Sequence, residues 1–286
     1  MLERPSLTAE AVTLARASET TRAADERIID DRYAKLFLRP SGRAALAAWT
    51  ATRPAAGVLD RSGAAFIACR HRFIDDHLLA ALEDGAEQVV LLGAGYDARA
   101  YRFHEQLAGR PVYEVDLAAT SRRKANIVER NRTRFPDANV HRVEIDFEQD
   151  SLHDTLVEAG FRPDTRTFVV WEGVIMYLTR AAIKATVGAL HELCGDGSMI
   201  AMDCWYLVDE PGPMGSARRA APGAIALIGE PVTFAMHPED MPDFLRRLDY
   251  EAVDIADAAE LEARYCTEGR TVEPSCYVVA ARRLPG

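Results

Sequence analysis

From residue 88 onward short apolar runs alternate with stretches long enough for a helix, and four of the five runs finish in a carboxylate. The runs are "QVVLLG" (88–93), "PVYEVD" (111–116), "NVHRVEID" (139–146), "TFVVWEG" (167–173) and "SMIAMDCW" (198–205), with helices expected around 98–108, 120–134, 151–159 and 180–194. Runs this continuously apolar have no face to show to water, so both faces of their sheet must be covered. Alternation with helix-length connections makes the strands parallel and the fold a doubly wound α/β domain. Ahead of the strands, residues 6–48 read as two helices broken near Asp30-Asp31 and Pro40-Ser41-Gly42. A third, over 64–82, sets Phe66, Phe73, Ile74, Leu78 and Leu82 near one face. A helix at 238–248 and strand-like runs at 250–255 and 275–283 complete a mostly parallel, seven-stranded sheet.

The expected organisation is one domain over 1–286. Within it, 1–86 form an N-terminal helical cap, 87–205 a cofactor-binding core, 206–249 a lid and substrate region, and 250–286 the closing strands. The lid is inferred from the Pro- and Gly-rich stretch 207–232, because loops this long in compact domains usually carry function. Composition narrows the class. With 34 basic against 44 acidic residues and a net charge of −10, the surface as a whole opposes a polyanion, so no nucleic-acid partner is expected. The one basic run, "SRRKANIVERNRTR", reads as a solvated helix face. No apolar run approaches the ~18 residues of a membrane helix and the N-terminus lacks a signal-peptide core, so a cytoplasmic protein is expected, with no membrane partner. Cys69, Cys194, Cys204, Cys266 and Cys276 are scattered without a C-x-x-C pair. They read as reduced thiols, and no metal is expected.

In an open parallel sheet the ligand lies beyond the carboxyl ends of the strands. Those ends carry Gly93 and Gly95, then Asp116, Asp146, Glu172 and Asp203. "GAGYDA" fits the relaxed G-x-G-x-x-G/A turn, and Asp116 follows Gly95 at the interval from which a carboxylate reaches ribose hydroxyls. The pair indicates an adenosine cofactor without saying which. An NAD(P)-dependent oxidoreductase is one possibility. Asp97 argues against it, since a carboxylate inside the turn repels pyrophosphate, whereas S-adenosylmethionine presents a sulfonium cation. Asp97 is equally suited to capping the helix that follows. An amino-acid tail on the cofactor needs a cation, for which Arg70 and Arg72 are the candidates; two exposed helix arginines are the alternative.

With these residues in place, the chain resembles the leucine carboxyl methyltransferase-like family of class I S-adenosylmethionine-dependent O-methyltransferases, which includes bacterial polyketide-pathway members. The resemblance rests on "DERIIDDRYAKLF", "RHRFIDD", "VVLLGAGYDARAYRF", "YEVDL", "EIDF" and "VVWEGVIMYLT". It implies a Rossmann-like methyltransferase sheet with S-adenosyl-L-methionine as cofactor. It also implies that Arg70 holds the methionine carboxylate and that Gly93, Ala94 and Gly95 pass beneath the cofactor. Asp116, with Leu117 beside it, would take the ribose, Asp146 with Phe147 the adenine, and Glu172 the methionine amino end. Family members commonly carry Thr where this chain has Ala98, which removes a hydroxyl near the cofactor, and Leu where it has Phe147.

Tyr177 and Trp205 are the expected substrate-side residues, placed just beyond the fourth and at the end of the fifth strand. No particular side chain is expected to do the chemistry. Methyl transfer is an in-line displacement governed by alignment, and a carboxylate acceptor, already ionised at pH 7, needs no base. His237 is the one histidine near the lid. The expected activity is methylation of a carboxyl or hydroxyl group of a small molecule such as a polyketide. The alternatives are the oxidoreductase above and a cofactor-binding protein without catalysis.

Overall fold

The computed structural model describes residues 7–52, 61–147, 149–206, 232–267 and 269–285. Helices α1 (Leu7–Thr20), α2 (Ala34–Phe37), α3 (Pro40–Thr52) and α4 (Arg61–Glu83) precede β1 (Gln88–Leu92). Two single turns, α5 (Arg99–Arg102) and α6 (His104–Leu107), lead to β2 (Val112–Asp116), and α7 (Ala118–Arg130) leads to β3 (Val140–Glu144). Then come α8 (Leu152–Glu158), β4 (Thr167–Trp171), α9 (Arg180–Leu193) and β5 (Met199–Trp205). In the described segments from residue 232 onward, α10 (Met241–Arg246), β6 (Tyr250–Ala256), α11 (Ala258–Tyr265) and β7 (Cys276–Arg283) follow.

The seven strands found among the described residues lie in the order β3-β2-β1-β4-β5-β7-β6. Of these, β7 alone runs antiparallel, to β5 on one side and β6 on the other. Strand periodicity divides the interior into two cores. Val89, Leu91, Phe168, Val170 and Ala201 face the layer containing α4, while Val90, Leu92, Val169, Trp171, Ile200 and Met202 face the layer containing α9. Every residue of β1 and β4 is buried, which is why their sequences carry no polar alternation. Phe66, Phe73, Ile74, Leu78 and Leu82 of α4 all belong to the first core.

The breaks expected near Asp30-Asp31 and Pro40-Ser41-Gly42 are present, and Pro40 is the first residue of α3, where a missing N–H costs nothing. Two local expectations need correction. The helix expected over 98–108 is two single turns that end at Ala108 in the left-handed region, φ +49. Helix α11 was not anticipated, although Asp257 and Glu260 form a reciprocal capping box at its start. The basic run is also more than a solvated face. Arg122 pairs with Glu144 at the surface, but Lys124 is buried 2.9 Å from Glu114, and Arg123 donates to the Tyr96 hydroxyl and the Phe37 carbonyl. No described helix is long and apolar enough to cross a membrane. Most of the expected lid, residues 207–231 with Met214, lies outside the described residues.

Candidate active site

Strand order reverses between β1 and β4, so the crevice of this sheet opens where those two strands end. The turn leaving β1 has Gly93 at φ +62 and Gly95 at φ +46, both in the left-handed region that glycine tolerates best. Close packing adds a second constraint at Gly93, where a Cβ would lie 2.3 Å from Val174 Cγ2. Beside this turn, the Asp116 carboxylate accepts the Gly95 N–H at 2.5 Å and the Leu117 N–H at 2.7 Å. Burial pushes Asp116 up to about 6, against the pull of those two N–H groups. Leu117, next to it, is an exposed apolar side chain. Asp146 sits two residues past β3 and accepts from Gln149 Nε2 at 3.0 Å; Phe147 is half-buried against the second core.

Beneath the turn, α4 and α5 deliver a buried ionic network to the end of β4. Arg70 donates through Nε to Glu172 at 3.0 Å and through Nη1 to Asp203 at 2.7 Å, and Asp203 also accepts the Gly173 N–H. Its Nη2 has no hydrogen-bond partner among the described residues. Arg99 bonds Asp75 at 2.7 Å, Glu172 at 2.7 Å and Asp97, and Arg102 reaches Asp75 at 2.6 Å. His71 lies among them, 3.0 Å from Glu172. Burial alone would raise Glu172, but His71, Arg99 and Arg70 outweigh it and hold the carboxyl well below its usual range. Burial likewise opposes ionisation of Asp97, and Arg99 overrides it, leaving Asp97 at about 2. Three guanidiniums, of Arg70, Arg99 and Arg102, thus meet four carboxylates, of Asp75, Asp97, Glu172 and Asp203.

The structure therefore brings Arg70, the 93–95 turn, Asp116, Leu117 and Glu172 together at the switch point. It also separates the two arginine candidates: Arg70 is buried, while Arg72 points outward to Asp76 with about half its side chain exposed. Asp97 behaves differently from expectation. Its Oδ1 accepts the Arg99 N–H and its Oδ2 the Arg99 guanidinium, so its charge is neutralised locally and does not by itself exclude pyrophosphate. Ala98 is wholly buried in the first core, not open to a cleft. Tyr177 ends a single 3-10 turn (Ile175–Tyr177) and Trp205 ends β5. Around them the chain returning at 232 is tied down, with Thr233 N–H on the Met176 carbonyl and Met236 N–H on that of Trp205. His237 is exposed, its ring 5.2 Å from that of Tyr206.

Sequence reasoning passed over His71, Asp75, Arg99 and Arg102. The available signal was spacing: residues 71 and 75 stand one helical turn apart, as do 99 and 102, inside segments whose apolar neighbours are buried. The N-terminal layer also grips the glycine turn. Arg16 of α1 donates to the Tyr96 carbonyl at 2.8 Å and to Asp31 at 2.6 Å, and the Tyr96 ring stacks on Phe37 at 5.6 Å. A separate groove of about 270 Å³, near Leu107, Val112 and Ala138, opens at the amino-terminal edge of β2 and β3, away from the crevice.

Sheet order, the antiparallel strand β7 inserted between β5 and β6, and a glycine turn at the switch point define a Rossmann-like methyltransferase fold. The profile described as "Leucine carboxyl methyltransferase" matches residues 9–191, and the chain belongs to that family. A protein of Parafrankia sp. (strain EAN1pec), named "Putative S-adenosyl-L-methionine-dependent methyltransferase", is 35% identical over 196 residues, which is 68% of this chain and 62% of the relative. A Mycobacterium tuberculosis (strain ATCC 25177 / H37Ra) protein of the same name is 33% identical over 211 residues, 72% of this chain and 66% of its own length. The chain thus spans somewhat under two thirds of these relatives. Two solved structures share the fold: a "putative methyltransferase" from Thermobifida fusca YX, with TM-score 0.57, 15% identity and coverage of 99% and 97% of the two chains, and a "duf574 family protein" from Streptomyces avermitilis, with TM-score 0.57, 16% identity and coverage of 94% and 96%.

Proposed function

We propose that the protein is an S-adenosylmethionine-dependent O-methyltransferase acting on a carboxyl group of a small molecule. The observation that carries this reading is the charge balance at the switch point, where four carboxylates outnumber three guanidiniums around a buried floor. Such a floor favours a cationic ligand and disfavours a pyrophosphate, the more so because burial weakens dielectric screening. Family membership and the names of the relatives agree with it and do not favour the dinucleotide alternative.

The residues present fit the cofactor. The 93–95 turn offers backbone that approaches a ligand without side chains at Gly93 and Gly95. Asp116 has two carboxylate oxygens for a cis-diol, with exposed Leu117 beside it for a purine face. Asp146 and Phe147 would extend that edge toward adenine. Arg70 Nη2 is the donor left for an amino-acid carboxylate, and Glu172 would meet the methionine amino end. When bound, S-adenosylmethionine supplies a methyl carbon already activated by a sulfonium. The protein's own work is then alignment and exclusion of water. Tyr177 and Trp205 border the acceptor side, where the chain returning at 232 is anchored to their neighbours. His71 has both ring nitrogens engaged in the network and no free lone pair to act as a base, which agrees with an acceptor that ionises unaided.

Calorimetry with S-adenosylhomocysteine, followed by transfer of labelled methyl from S-adenosylmethionine to a panel of carboxylic acids and phenols, tests the reading. Micromolar binding and a base-labile methyl ester are expected. Binding of NADH without S-adenosylhomocysteine would overturn it. A base-stable methyl ether would move the acceptor from carboxyl to hydroxyl.

A further inference from the structure

His71 is the imidazole of this network, and its surroundings fix its protonation. The ring is 1% exposed and faces Glu172, Arg99, Arg102 and Asp75. Nε2 lies 2.9 Å from Arg102 Nη1. A guanidinium only donates, so Nε2 carries no proton and accepts. Nδ1 lies 3.0 and 3.2 Å from the two Glu172 oxygens. A carboxylate only accepts, so Nδ1 carries the proton and donates. Arg99 Nη2 lies 2.8 Å from Nδ1 and donates one of its two hydrogens to the His71 carbonyl at 3.1 Å; an Nδ1 that accepted from it would leave Nε2 to carry the proton against the Arg102 guanidinium. The one arrangement that satisfies both ring nitrogens is the neutral Nδ1–H tautomer. Burial and Arg99 both push His71 away from the charged form, in agreement with that geometry.

This placement joins the N-terminal layer to the crevice. Arg102, which donates to Nε2, also donates through Nε to the Asp30 carbonyl at 3.1 Å. On the other side His71 holds Glu172, which accepts Arg70 Nε and so fixes the plane of the guanidinium whose Nη2 is spare. We propose that neutral His71 is a positioning residue for the amino-acid end of the cofactor, setting Glu172 and through it Arg70. The inference rests on the methyltransferase reading above, which assigns Arg70 and Glu172 to that end of the ligand.

The test compares S-adenosylhomocysteine with adenosine, which lacks the amino-acid end, on wild type, His71→Leu and His71→Asn. Asn places an amide N–H near the position of Nδ1, so it can still donate to Glu172. His71→Leu is expected to weaken S-adenosylhomocysteine at least tenfold while adenosine changes less than twofold, and His71→Asn should recover most of the loss. Equal weakening of both ligands by His71→Leu means a merely structural role and overturns the proposal, as does unchanged binding of both. If His71→Leu does not fold, the wild-type ring decides the matter: ¹⁵N NMR should show Nδ1–H and no titration between pH 5.5 and 8. An Nε2–H tautomer, or titration within that range, refutes it. Failure of wild type to bind S-adenosylhomocysteine at all overturns the methyltransferase reading instead, and the NMR result still stands or falls by itself.

Discussion

Replacing Gly93 by Ala tests whether the glycine turn is held by packing as well as by backbone conformation. At φ +62 an alanine pays a left-handed penalty of about 1–2 kcal/mol. Its Cβ would also stand 2.3 Å from Val174 Cγ2, where carbon atoms prefer about 3.5–4.0 Å. Relieving such an overlap in a packed region costs about 1–3 kcal/mol. The stiffer unfolded chain returns about 0.4–1 kcal/mol, so a net loss of roughly 2–4 kcal/mol is expected. Gly173→Ala is the control, because its φ of +72 carries the same strain while its Cβ would meet the Arg70 guanidinium at 3.7–3.9 Å, an ordinary contact. Gly93→Ala should therefore cost about 1–3 kcal/mol more than Gly173→Ala in urea unfolding. Adding Val174→Ala removes the atom that clashes, so the double-mutant cycle should show a favourable coupling of about 1–3 kcal/mol. A coupling within about 0.5 kcal/mol of zero, or equal costs at the two glycines, would refute the packing argument.

Two further outcomes follow from the same geometry. Because burial holds Asp116 at about 6, a ligand diol that needs the ionised carboxylate should bind about tenfold more weakly at pH 5 than at pH 7.5, with the loss appearing as pH falls through 6. Asp116→Asn should lose about 3 kcal/mol of S-adenosylhomocysteine affinity and flatten this profile; a wild-type profile already flat over that range would contradict the assignment. Cys69 and Cys266, with sulfurs 3.6 Å apart, should join in one intramolecular disulfide on treatment with diamide, since the hydrogen bond from Cys69 and nearby Arg270 lower the Cys266 thiol. Burial raises Cys194, to about 12, along with Cys204 and Cys276, which should stay reduced. Peptide mapping that finds a different pair would contradict this.

The sheet was legible because its physics is local. Val89 to Leu92 and Phe168 to Trp171 are buried on both faces, so the apolar run itself marks the strand, and the observed ends lie within two residues of those expected. Helix α11 was missed although its Asp257–Glu260 box was present, because its short segment follows directly on β6 and offers little periodicity. Arg70 and Arg72 could not be separated in the sequence. Which of them is buried depends on how α4 is rotated against β4 and β5, and that is settled by residues more than ninety positions away. Asp97 misled for the opposite reason. The group that cancels it, Arg99, is two residues distant, and only the fold of the turn shows that the two side chains meet.

What Asp97 alone does not do, the network does. A single carboxylate paired with one guanidinium presents a dipole to a ligand, and a dipole distinguishes weakly between a sulfonium and a phosphate. Four carboxylates around three guanidiniums leave an unbalanced charge that no local pairing removes. Burial raises Asp203, one of its members, and nearby Glu172 raises it further, against the pull of Arg70 and the Gly173 N–H. The same network reaches the Asp30 carbonyl through Arg102, while Arg16 and Arg123 hold the carbonyl and hydroxyl of Tyr96. Docking of the N-terminal layer and shaping of the crevice floor are therefore one set of contacts. A substitution that loosens that layer at Arg16 or Arg102 reaches the ligand site without touching the ligand.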